Sequence, residues 1–91
     1  MKSFACVIHD PLGIHARPAG KLSKVAKSFP ESTILIKKND SVVAASQLMK
    51  LMGLGVKQND QVTVTIEGGD EDAVFDEVRT FFGDNFSAEF I

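Results

Sequence analysis

The strongest constraint on the fold is the order of strand-like and helix-like hydrophobic patterns along the chain. Alternation of apolar and polar residues predicts four strands, at residues 2–8, 33–38, 41–45 and 62–66. Apolar residues at steps of three and four predict three helices, at residues 15–29, 47–53 and 70–83. A helix with one apolar stripe must cover a sheet or another helix to bury that stripe. The sequence therefore predicts a two-layer α+β sandwich with the element order βαββαβα.

The ends of these elements carry their own signals. The turn residues Asn39-Asp40 join the two central strands as a hairpin. Pro30 ends the first helix, Ser46 is the candidate N-cap of the second, and Gly83 ends the third. The tail over residues 84–91 carries three large apolar residues, so we expect it to pack against the body of the protein.

Size and composition narrow the classes of function. At 91 residues the chain is expected to form a single domain, residues 1–91. Its net charge of −2 and its lack of Trp and Tyr argue against nucleic-acid binding, which favours basic and aromatic surfaces. We see no signal peptide and no apolar run of the ~20 residues that span a bilayer, so no membrane insertion is expected. Cys6 is the single cysteine and alternates with apolar residues, which predicts a buried side chain in a protein of the reducing cytoplasm.

The chemical signature of the chain lies in residues 13–19, with the sequence Gly-Ile-His-Ala-Arg-Pro-Ala. Its proline suits the first turn of a helix, where a missing N–H costs nothing. The N–H groups at a helix start lack internal partners and attract anions. The neutral imidazole of His15 is nucleophilic near neutral pH. A phosphoryl group on that ring would meet the N–H groups of Ala16 and Arg17 and the Arg17 guanidinium.

The second histidine, His9, lies at the end of the first predicted strand, where we expect a solvated side chain. His9 and His15 alone provide too few ligands for a metal site and show no recognised ligand spacing. We therefore expect neither a metal nor any other cofactor.

The segment Gly-Ile-His-Ala-Arg-Pro-Ala and the later stretch Leu51-Met52-Gly53-Leu54-Gly55 resemble HPr, the family of histidine phosphocarriers of the bacterial sugar phosphotransferase system. The resemblance extends over nearly the whole chain, apart from its tail at residues 84–91. It implies four antiparallel strands in the spatial order 1-4-2-3, with three helices on one face. It also implies that His15 is phosphorylated on Nδ1 and that Arg17 contacts the phosphoryl group.

The same resemblance implies partners. The donor would be the phosphoenolpyruvate-dependent enzyme I, and the acceptors would be the enzyme IIA domains of sugar permeases. Family partners dock on the first helix and the short second helix. Carried over to this chain, that surface consists of Gly20, Lys24, Lys27, Leu48, Met49, Lys50 and Met52. A small carrier that visits several partners is expected to be a monomer.

One position departs from the family pattern. Many members from low-GC Gram-positive bacteria carry a regulatory serine just before the second helix, where HPr kinase phosphorylates it. Alignment of residues 48–52 without gaps places Gln47 at that position and Ser46 one residue earlier. An extra residue near residues 30–32 would explain the offset and remove the regulation, whereas an extra residue within the helix would make Ser46 the match. Ser46 as an ordinary N-cap also explains its presence.

Three functions remain compatible with these features. The first is a phosphocarrier in sugar uptake, which is a carrier protein and not a stand-alone enzyme. The second is a related carrier in a regulatory relay that controls nitrogen or carbon metabolism. The third is a non-catalytic interaction module, such as a small RNA-binding domain, against which the charge balance counts. Acid-labile phosphate on His15 would separate the first two functions from the third.

Overall fold

The computed structural model describes residues 1–91, which form eight elements of secondary structure. In chain order they are β1 (Lys2–Ile8), α1 (Ala16–Lys27), β2 (Thr33–Lys38), β3 (Ser41–Ala44), α2 (Leu48–Gly53), β4 (Gln61–Glu67), α3 (Glu71–Phe86) and β5 (Ala88–Phe90). The predicted order βαββαβα is confirmed, with one strand added at its end. None of the helices combines the length and the apolar character needed to cross a membrane.

The sheet is antiparallel throughout, with the strand order β3-β2-β4-β1-β5. The predicted spatial order 1-4-2-3 is confirmed, because β1, β4, β2 and β3 are neighbours in that order. The prediction of four strands is wrong by one. The tail pairs with β1 as a fifth strand, in a register that sets Phe90 opposite Cys6 and Ala88 opposite Ile8. The tail therefore packs against the body as a strand that covers the open edge of β1.

Alternation within the strands places one face of the sheet under the helices. The strands β1 and β4 bury Phe4, Cys6, Ile8, Val62, Val64 and Ile66. The helices α1 and α3 bury Ala19, Leu22, Ala26, Val74, Val78, Phe82 and Phe86 against them. These side chains belong to one cluster of 19 buried hydrophobic residues. Helix α1, which carries the candidate site, is thus fixed to the sheet by its apolar stripe.

The single cysteine is part of this core. Cys6 is fully buried, as the sequence predicts. Burial raises the pKa of its thiol to about 11, because a thiolate would lose its hydration there. Since the thiolate is the reactive form, Cys6 acts as a small apolar residue.

Helix α1 is shorter at both ends than the predicted helix at residues 15–29. It ends at Lys27, and the C-cap Ser28 donates its hydroxyl to the carbonyl of Val25. Pro30 further disfavours helical backbone at the residue before it. The later start of the helix leaves the candidate histidine outside the first turn.

The N-cap of α2 is Gln47, and the prediction that Ser46 has this role is wrong. The carbonyl of Gln47 accepts the first helical hydrogen bond, from the N–H of Leu51 at 2.9 Å. The helix begins late because the β2–β3 hairpin continues to Ala45, whose N–H donates to the carbonyl of Ile34 at 2.9 Å. Ser46 therefore lies in the turn between β3 and α2.

Helix α3 continues to Phe86, beyond the stop predicted at Gly83. The rings of Phe82 and Phe86 lie 5.1 Å apart in the core, and their burial keeps the last turn helical. Ser87, with a φ of 50°, ends the helix in the left-handed conformation. Gly83 instead faces the tail, where a Cβ would lie 3.6 Å from the ring of Phe90, at ordinary van der Waals distance.

Phe90 anchors the fifth strand, and its removal tests that packing. Its ring lies 5.6 Å from that of Phe4 and 3.9 Å from the guanidinium of Arg79. We expect Phe90→Ala to lower the free energy of unfolding by about 2 kcal/mol, as measured by urea denaturation. The control Ile91→Ala removes a side chain that is 75% exposed and should change the free energy by less than about 0.5 kcal/mol. Equal, small effects of both changes would contradict a docked tail.

Candidate functional site

The site is built on the loop between β1 and α1, which is fixed by a turn at Gly13. The N–H of Gly13 donates to the carbonyl of Asp10 at 2.8 Å, and its φ of 64° suits glycine. A Cβ at this position would collide with the carbonyl oxygen of Val56. Ile14 is buried and donates its N–H to the same carbonyl at 3.2 Å. The loop therefore brings His15 to a defined position at the edge of the core.

His15 is the N-cap of α1. Its backbone is extended, with φ −117° and ψ 172°, and its carbonyl accepts from the N–H of Ala19 at 2.9 Å. Its side chain makes no capping hydrogen bond and is 33% exposed. The imidazole is thus attached to a rigid helix end while its ring remains available to solvent and to partners.

The first N–H groups of α1 are free. Those of Ala16 and Arg17 have no acceptor among the backbone hydrogen bonds of the chain, and Pro18 has no N–H. The first turn contains no acidic side chain. Unpaired donors and the positive end of the helix dipole together make the helix start beside His15 suited to an anion. The exposed guanidinium of Arg17 adds a full positive charge on the same turn.

A carboxylate also reaches the histidine. Oδ2 of Asp10 lies 3.7 Å from Nε2 of His15. Oδ1 of Asp10 accepts from the N–H of Leu12 at 2.8 Å, and its backbone N–H donates to the carbonyl of Phe86 at 3.1 Å. Sequence patterns alone do not single out Asp10, because the turn at Gly13 is what folds it back toward the helix start.

A second loop packs against Gly13, and Asp60 stabilises this loop. The pKa of Asp60 lies below its usual value, because the N–H of Lys57 donates to the carboxylate and the Nζ of Lys38 lies 3.0 Å from it. The Cα of Lys57 is one of the atoms closest to the position of a Cβ at Gly13. The charged pair thus holds the backbone against which the site loop packs.

A groove of about 360 Å³ lies between α1 and α2 and includes Arg17 of the candidate site. It is lined by Arg17, Gly20, Lys21, Ser23, Lys24, Lys27 and Leu48. Four of these seven residues are cations, and four belong to the predicted docking surface, namely Gly20, Lys24, Lys27 and Leu48. Lys21 was missing from that prediction, although its spacing from Arg17 and Lys24 places it on the same helix face. We call this feature the basic groove.

The remaining predicted docking residues lie on α2 outside the basic groove. Met49 is 82% exposed and Lys50 is also exposed. Met52 is only half-buried, and its side chain packs against the hydrophobic core. Leu51 is buried. Helix α2 therefore presents Met49 and Lys50 to solvent while Leu51 and Met52 attach it to the core.

His9 does not join the site. It is exposed at the end of β1, and its Nε2 lies 2.7 Å from Oε1 of Glu89 on the neighbouring strand β5. The chain contains no group of three or more His, Cys, Asp or Glu side chains placed to hold a metal ion.

The site as a whole combines a histidine at a helix mouth, unpaired N–H groups, a guanidinium and an adjoining basic groove. Such an arrangement suits a protein that holds an anionic group on a histidine and presents it to other proteins. Comparison with known proteins identifies the family. The family described as the PTS HPr component phosphorylation site matches residues 2–84.

Individual relatives agree with this match. The chain is 41% identical over 81 residues to phosphocarrier protein HPr of Lysinibacillus sphaericus, covering 88% of this chain and 90% of that protein. It is 35% identical over 79 residues to HPr of Mycoplasma pneumoniae, covering 87% and 90%. The crystal structure of HPr-C-His from Thermoanaerobacter tengcongensis matches with a TM-score of 0.86 at 32% identity, covering 98% of this chain and 99% of that one. The chain belongs to the HPr family of phosphocarrier proteins of the phosphotransferase system.

Proposed function

We propose that this phosphocarrier accepts a phosphoryl group from enzyme I on Nδ1 of His15 and passes it to enzyme IIA domains in phosphoenolpyruvate-dependent sugar uptake. One observation carries the proposal. The imidazole of His15 makes no capping hydrogen bond and lies beside the unpaired N–H groups of Ala16 and Arg17. Phosphoryl transfer needs an in-line nucleophile and positive groups around the moving charge. The imidazole supplies the first, and the N–H groups with the Arg17 guanidinium supply the second.

The exposure of the site suits a group that must leave again. Two N–H groups and one guanidinium stabilise a dianion, but the ring of His15 is 33% exposed and water weakens each of these interactions. The phosphoryl group is thus held without being trapped. The protein acts as a carrier and not as a stand-alone enzyme, because the group remains on the ring until a partner removes it.

We place the docking of both partners on the basic groove and the exposed end of α2. The cations of the groove favour partners with acidic faces. Leu48, which lines the groove, and Met49, the next residue on α2, are exposed large apolar residues, and methionine adapts to differently shaped partners. A monomer in the cytoplasm leaves this surface open to each partner in turn.

Enzyme I labelling tests the role of His15. Incubation with enzyme I and radiolabelled phosphoenolpyruvate should add one acid-labile phosphate to the wild-type chain and none to His15→Ala. Arg17→Ala should fold normally and accept phosphate about tenfold more slowly, since one charge-stabilising group is lost. His9→Ala is the matched control and should label like the wild type. A labelled His15→Ala protein would contradict the proposal, and unlabelled folded wild type would favour a non-catalytic module.

Charge reversal tests the docking surface. The double variant Lys24→Glu, Lys27→Glu should raise the KM of enzyme I for this carrier about tenfold, with little change in kcat, because steering and docking are weakened while the histidine is intact. Lys37→Glu alters a lysine on the opposite face of the sheet and serves as the control. Lys24→Glu and Lys27→Glu are also measured singly, so that each single charge reversal is compared with that of Lys37→Glu. Equal effects on both faces would contradict the assignment.

We infer that serine regulation is absent from this chain. The residue directly before α2 is Gln47, and Ser46 lies one position earlier in the preceding turn. Incubation with HPr kinase and ATP should therefore leave Ser46 unmodified, as measured by mass spectrometry of the peptide that contains it. A phosphorylated Ser46 would refute this inference. A family member with a serine directly before its second helix is the positive control.

A further inference from the structure

We propose that Asp10 is a positioning residue for His15. Its carboxylate holds the imidazole in the tautomer that carries its proton on Nε2, and it stabilises the positive charge that the ring gains on phosphorylation. The inference rests on the proposed phosphorylation of Nδ1. The observation behind it is the 3.7 Å distance between Oδ2 of Asp10 and Nε2 of His15, the only ion-pair contact of that ring.

The carboxylate is held in place by its own hydrogen bonds. The backbone N–H of Asp10 donates to Phe86, and its carbonyl accepts from the N–H of Gly13. Its Oδ1 accepts from the N–H of Leu12 at 2.8 Å. With these three groups engaged, Oδ2 is the atom left to face His15. The Asp10 side chain is 22% exposed, so water screens this charge only in part.

The position of this charge decides which ring nitrogen is nucleophilic. A neutral imidazole has one N–H, and only the other nitrogen has a lone pair in the ring plane. A carboxylate beside Nε2 favours the proton on Nε2, which leaves the lone pair on Nδ1. In a Ser-His-Asp triad, the aspartate likewise orients its histidine and stabilises the imidazolium.

The transfer step follows with its charges balanced. The lone pair of Nδ1 forms the new nitrogen–phosphorus bond while the bond from phosphorus to the leaving atom of the donor breaks. The leaving atom keeps that electron pair, and Nε2 keeps its proton. The ring of His15 thereby gains a formal positive charge beside Asp10. Because catalytic contacts are often long in the free protein, we expect the 3.7 Å separation to shorten to a hydrogen bond as this charge develops.

The same contact serves the return step. When the phosphoryl group passes to an acceptor, the nitrogen–phosphorus bond breaks and its electron pair returns to Nδ1. With Nε2 protonated, the ring leaves as neutral imidazole and not as an anion. Asp10 therefore assists both loading and unloading by keeping that proton in place.

The variant Asp10→Asn separates this role from a structural one. Asparagine retains an oxygen to accept from the N–H of Leu12, so the turn is preserved. Its amide NH₂ then faces Nε2 of His15 and favours the lone pair there, with the proton on Nδ1. We expect kcat/KM for phosphorylation by enzyme I to fall about tenfold. We also expect ¹⁵N NMR of His15 to show a shift from the Nε2–H toward the Nδ1–H tautomer, with an unchanged urea midpoint.

Glu89→Gln is the matched control. It removes the same charge from a carboxylate that pairs with His9, and it should leave both the rate and the tautomer of His15 unchanged. If Asp10→Asn fails to fold, Asp10→Ser replaces it, since a hydroxyl also accepts from the N–H of Leu12.

The outcomes separate a failure of the proposed function from a failure of the proposed role of Asp10. Wild-type protein that accepts no phosphate would refute the proposed function, whatever Asp10 does. Wild-type protein that is phosphorylated, together with an Asp10 variant of unchanged rate and tautomer, would overturn the role of Asp10 alone. A slower Asp10 variant with an unchanged tautomer and a lowered urea midpoint would also overturn it, because the loss would then be structural.

Discussion

The proposed phosphoryl transfer depends on two backbone N–H groups without a partner, those of Ala16 and Arg17. At an exposed helix start, water satisfies such donors until an anion replaces it. The sequence keeps them free, because the side chain of His15 makes no cap bond and the first turn has no acidic residue. Helix α3 shows the opposite choice, since Asp70 caps it and Glu71 lies in its first turn. The start of α3 is thus satisfied by side chains of its own segment, whereas the start of α1 beside His15 remains open to a ligand.

The site loop is also held by the end of the chain. The N–H groups of His9 and Asp10 donate to the carbonyls of Ser87 and Phe86, at 3.3 Å and 3.1 Å. Strand β5 follows directly and pairs with β1. The packing of the tail and the geometry around the histidine are therefore linked through the last turn of α3. Strand β5 thus affects the position of the site loop as well as covering the edge of the sheet.

Sequence periodicity predicted the strands, the helices and their order because burial of one face imposes that periodicity directly. The errors lie where tertiary contacts override local signals. Helix α3 passes through Gly83 because Phe86 has a place in the core, and Ser46 loses the N-cap role because the hairpin continues to Ala45. Strand β5, with three residues, has no alternation long enough to detect, and it forms because β1 offers an unpaired edge.

In the candidate site too, local sequence signals identify some residues and only tertiary contacts identify others. Residues 15–17 are contiguous, so a motif could reveal them, whereas the approach of Asp10 to the ring requires the folded turn. The most direct test of the central interaction is the amide NMR spectrum before and after phosphorylation by enzyme I. If the N–H groups of Ala16 and Arg17 bind the phosphoryl oxygens, their signals should move strongly downfield while that of Asp72 in α3 stays in place. Unmoved Ala16 and Arg17 signals in a protein phosphorylated on His15 would contradict this interaction.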